Sequence, residues 1–146
     1  MTTIPTTGVT FVHAAQLLAA HLADHELPEP ASLQVTARAG QSQVRAQVYP
    51  LTVPRVAAQL LAWADTLTTV TVQAWRPPSG TSVHLSIAST LTDPAGTVEL
   101  DVYGAAAHDP VLFATLAPGQ RRDVPLGQLC IWAARATDTP GGGAAA

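Results

Sequence analysis

The chain reads as an α+β protein, a two-layer sandwich in which one antiparallel sheet of five or six strands carries helices on one face. Three observations predict this. Two segments repeat apolar residues at helical spacing. Each is followed by a pair of runs that alternate apolar and polar residues. The hexapeptide AAQLLA stands in both helical segments, at Ala14–Ala19 and at Ala57–Ala62. Alternation at period two means strands buried on one side only, and the buried side needs a cover.

Thr10 is placed to cap a first helix that reaches about His25, with Phe11, Ala15, Leu18 and Leu22 on one face. Leu27-Pro28-Glu29-Pro30 stops it. Leu33, Val35 and Ala37, then Val44, Ala46 and Val48, form a hairpin turned at Gly40. The pattern then restarts. Thr52 caps a second helix, Pro54 sits in its first turn where a missing N–H is harmless, and Val53, Val56, Ala57, Leu60, Leu61 and Ala64 make its apolar stripe to about Asp65. Val70, Val72 and Ala74 pair with Val83, Leu85 and Ile87 in a second hairpin turned at Pro77-Pro78-Ser79-Gly80.

The chain thus holds two tandem helix–strand–strand units, about 10–49 and about 52–89, lying side by side in one sheet. An extension over 93–136 follows. Asp93-Pro94-Ala95-Gly96 makes a turn, Val98, Leu100 and Val102 a fifth strand, and Val111–Leu116 a sixth. Asp123-Val124-Pro125 opens a short third helix to about Ala136. Residues 1–139 are read as one domain, and 140–146 (PGGGAAA) as a disordered tail.

Composition narrows the function. At 146 residues the chain is long enough to bury a sizeable core. Charged residues make up only 12%, against about 25% in ordinary usage, and every cation is Arg because Lys is absent. A net charge of −3 speaks against binding a nucleic-acid backbone, which needs clustered cations. One cysteine, Cys130, fits a reducing compartment, read here as a small buried hydrophobe. MTTIPTTGVT has no basic start and no run reaches about 18 apolar residues, so a cytoplasmic protein without a membrane span is expected.

No nucleophile elbow, phosphate loop or dinucleotide fingerprint occurs, so no cofactor and no catalytic residue are assigned. His21 and His25 share a helical face at metal-ligand spacing. The zincin glutamate is replaced by Leu22 and no third ligand follows, so no metal is expected. His108 and Asp109 are adjacent in an extended segment and point apart, so they do not form a catalytic pair by themselves.

What remains is the strand face turned away from the helices, where aromatics and arginines mix as they do in interface hot spots. The candidate interface comprises Arg45, Tyr49, Trp75, His84, Glu99, Asp101 and Tyr103. Arg38 and Arg45 lie on the first hairpin and Glu99 and Asp101 on the fifth strand, so a twofold axis would oppose unlike charges. The expectation is a non-enzymatic interaction module, an adaptor or accessory protein that binds a protein partner and forms a homodimer. The alternative is a small-ligand binder or enzyme with a pocket between helices and sheet near Trp63 and Trp132.

Overall fold

Both hydroxyl caps start their helices in the computed structural model, which describes residues 10–38, 41–49 and 52–138. Thr10 Oγ1 accepts from His13 N at 3.1 Å and opens α1 (Phe11–His25). Thr52 Oγ1 accepts from Arg55 N at 3.4 Å and opens α2 (Val53–Ala64). Each bond satisfies one of the donors that a helix start leaves free. The strands are β1 (Ser32–Arg38), β2 (Gln41–Gln47), β3 (Thr71–Trp75), β4 (Ser82–Asp93), β5 (Gly96–Ala107) and β6 (Arg121–Val124), and α3 (Leu126–Asp138) closes the described chain. The expected turn at Gly40 and the tail at 140–146 lie outside the described residues.

The fold is α+β with three helices and one six-stranded sheet among the described residues, in the order β1-β2-β5-β4-β3-β6. The sheet is mixed, not antiparallel. β5 pairs antiparallel with β4 along its whole length, from Ser82↔Ala107 to Asp93↔Gly96, and its other edge takes β2 in parallel, Gln43↔Glu99 to Gln47↔Tyr103. The two hairpins therefore share a sheet but are separated by β5. Alternation in sequence fixes which side chains face the core and is the same for either strand direction. It carries no information on which edge β5 joins.

The expected sixth strand at Val111–Leu116 is a turn instead. Asp109 Oδ1 accepts from Val111 N at 2.9 Å and from Leu112 N at 3.3 Å, and Phe113 N donates to Asp109 O at 2.9 Å. Local capping of this kind competes with strand pairing and here it wins. Phe113 and Leu116 drop into the core while Val111 is left 85% exposed. The real sixth strand is the short polar run Arg121–Val124, antiparallel to β3.

The buried side chains of the strands alternate onto one face. Val44, Ala46 and Val48, Val72 and Ala74, Val83, Leu85 and Ile87, and Val98, Leu100 and Val102 join helix residues in a single core. α2 supplies Val53, Val56, Ala57, Leu60, Trp63 and Ala64, all buried. α1 gives Ala14 and Leu18, so its inward stripe is turned from the expected one and Phe11 is exposed. Trp63 and Trp132 are both core residues, Trp132 packing on Phe113 at 5.2 Å between centroids. Gly104 allows α2 to approach β5. A Cβ there would lie 2.5 Å from Val48 Cγ2 and 2.8 Å from Val56 Cγ1. Among the described residues no helix is long and apolar enough to cross a membrane.

Candidate functional site

The residues between the buried positions of each strand emerge on the other side of the sheet, and the registers align them in rows. Arg45 stands opposite Asp101, Asp101 opposite Ala88, and Ala88 opposite Thr71. Tyr103, Ser86, Gln73 and Asp123 form a second row, and His84, Trp75 and Arg121 a third. Small side chains (Ser86, Ala88, Thr71) sit amid large ones, which leaves a shallow bowl of about 190 Å³.

The large side chains form a continuous stack. The Arg45 guanidinium carbon lies 4.5 Å from the Tyr103 ring centroid. Tyr103 and His84 are parallel within 5°, with centroids 6.2 Å apart. His84 meets Trp75 edge-on at 5.2 Å, and the Arg121 guanidinium carbon is 5.5 Å from the Trp75 centroid. Both guanidiniums are within the ~6 Å at which a cation is attracted to a ring face.

Polar bonds hold the two ends. Arg45 Nε donates to Asp101 Oδ2 at 3.1 Å, and the Tyr103 hydroxyl donates to Gln47 Oε1 at 3.3 Å. At the far end Arg121 Nη1 donates to Gln73 Oε1 at 3.3 Å, and Gln73 Nε2 donates to Asp123 Oδ1 at 3.1 Å. Partial burial, and then the positive Arg45, lower the His84 pKa below its ordinary value, which favours the neutral imidazole. A neutral ring flanked by arenes and closed by two cations is pre-organised before anything binds.

Of the seven residues that sequence reasoning selects, Arg45, Trp75, His84, Asp101 and Tyr103 come together. Tyr49 lies past the end of β2 and is 53% exposed, and Glu99 is exposed two residues before Asp101 on the same face. Sequence reasoning does not reach Arg121, because the pattern puts the sixth strand at 111–116. An arginine pair followed by Val124 and Pro125 is only a faint strand signal. The expected separation of arginine and acidic ends does not hold for Arg45, since the parallel β2–β5 register sets it beside Asp101 within one chain.

The other candidates take structural places. Thr66 Oγ1 donates to Trp63 O at 2.7 Å, so its contact with His21 Nε2 at 2.8 Å requires that nitrogen to carry the proton. His21 therefore ties α1 to the end of α2. It stacks on Trp63 at 6.1 Å and lies 4.5 Å from His25 between centroids. Burial, and then His25, lower its pKa, with Asp24 opposing. His108 Nε2 lies 3.4 Å from Phe113 O while Asp109 caps the following turn, so the two serve separate local bonds. Cys130, expected to be buried, is exposed, because the inward stripe of α3 runs through Leu129, Trp132 and Ala133. Against known protein families, curated proteins and solved structures, the chain matches none.

Proposed function

We propose that the chain is a non-catalytic interaction module whose open sheet face recognises a protein, the first candidate partner being a second copy. The observation that carries this reading is the stack from Arg45 through Tyr103, His84 and Trp75 to Arg121. Aromatic side chains, and arginines already held as Arg45 is by Asp101 and Arg121 by Gln73, lose little further freedom on binding, and both types are enriched in interface hot spots. His84 lies parallel to Tyr103 and T-shaped to Trp75, packed between two aromatic rings, which supports a recognition role. Asp101, Asp123 and Glu99 among the guanidiniums favour a polar protein surface over a phosphate backbone. The shared order of helix, strand and strand, with AAQLLA in both helices, supports the reading that the two units arose by duplication.

Light scattering on a sizing column at micromolar concentration tests the proposal. The wild type is expected to run as a dimer and Trp75→Ala as a monomer. Arg45→Glu should also weaken the dimer, since it removes the cation from the Tyr103 face and sets a second carboxylate beside Asp101. A wild-type monomer would end the self-association reading. A dimer unaffected by Trp75→Ala would place the contact on another surface.

A further inference from the structure

A cleft of about 430 Å³ opens on the helix side of the sheet, away from the bowl, between the turn at 110–115, β6 and α3. Its lining is mixed: Leu112, Val124 and Trp132, with Val111 at the mouth, supply apolar surface, and Arg122, Asp123, Gln128 and Arg135 supply polar groups. The volume falls in the range of small-molecule sites. One side chain there is out of place for a core face. Arg122 is in register with the buried Ala74, so it projects on the helix side, whereas its neighbours Arg121 and Asp123 pair with open-face residues. Its bond is neutral, Nη1 donating to Thr115 Oγ1 at 2.7 Å. Asp123 borders the same cleft, but its carboxylate is taken by Gln73 on the opposite face. Arg135 stands on the cleft from α3. The Arg122 guanidinium beside Leu112 and Trp132, with Asp123, the one carboxylate among the described lining residues, bonded to Gln73, makes a site for an anionic head joined to an apolar body.

We infer that this cleft binds a small amphipathic carboxylate, its head on Arg122 and its body against Trp132 and Leu112. The site is independent of the open face, and neither reading needs the other.

Octanoate is the probe and octylammonium its charge-reversed counterpart, each titrated into the full chain and followed by amide ¹H–¹⁵N spectra. Octanoate is expected to shift the Leu112, Val124 and Gln128 amides along a saturating curve while those of Trp75 and His84 stay in place. Octylammonium should give no such curve. Arg122→Gln is expected to raise the octanoate Kd by about tenfold or more, the loss of one charge-assisted contact. Because Arg122 also holds Thr115, Val111→Glu is the second variant. The residue it replaces is 85% exposed, and a carboxylate at the mouth should repel octanoate comparably. Equal affinity for octylammonium, shifts confined to the open face, or no saturable shift would overturn the inference. So would an Arg122→Gln protein that binds octanoate unchanged but associates, which would make Arg122 an inward charge guarding an edge strand.

Discussion

His84 and His21 act on stability through the same physics. Each is partly buried, and each has its pKa lowered first by that burial. The unfolded chain therefore takes up protons near pH 6.5 more readily than the folded one does. Stability from the two neutral rings is fully present above about 6.5 and is lost as pH falls through their lower folded values. Thermal melts from pH 7.5 to 5 should show a falling midpoint, with a shallower slope in the double variant His21→Gln/His84→Gln. An equal slope in both proteins would assign the pH dependence to other groups. Asp93 adds a further loss at lower pH, because its pKa is held down chiefly by the bond from His13, whose Nε2 lies 2.8 Å from Asp93 Oδ2.

At the scale of elements, two positions test how the sheet is covered. At Gly104 the α2 side chain Val56 packs against the β5 backbone, and the added methyl of Gly104→Ala would overlap Val48 and Val56. The cost should be about 1–3 kcal/mol, as for other overpacked sites. A urea melt within about 0.5 kcal/mol of wild type would mean that α2 shifts freely on the sheet. Asp109 is the second position. Its carboxylate starts the turn that turns Val111–Leu116 away from strand pairing. Asp109→Ala should cost about 1 kcal/mol, the usual loss of a cap, and should loosen Phe113 and the mouth of the cleft. Ring-proton line widths of Phe113 report that loosening directly.

Over the whole molecule the sheet is stabilised unevenly. β5 and β4 have both edges paired along long strands and carry deeply buried residues, among them Leu85, Ile87, Leu100 and Val102. β1 has one paired edge, and Leu33 on its inward side is 46% exposed. Amide exchange should therefore be slowest at the centres of β4 and β5 and much faster along β1, where opening exposes little apolar surface. Equal protection across the sheet would show that α1 anchors β1 more firmly than its burial implies.

Much of this was legible in the chain itself. Thr10 and Thr52 announce their helices because capping is local chemistry. The face assignment of Arg45, Trp75, His84, Asp101 and Tyr103 follows from period-two alternation, a property of the strand alone. What lay beyond the sequence were the long-range choices. Val111–Leu116 has the composition of a strand, yet the Asp109 cap and the burial of Phe113 and Leu116 together make it a turn, and only the folded chain weighs those against each other. Without β6 in place Arg121 had no position, and the stack could not be seen to end in a second cation. The insertion of β5 between β2 and β4 was equally hidden. Side-chain pattern fixes which way a residue faces, but strand partnership is a competition between edges far apart in sequence, decided by the packing of the whole core.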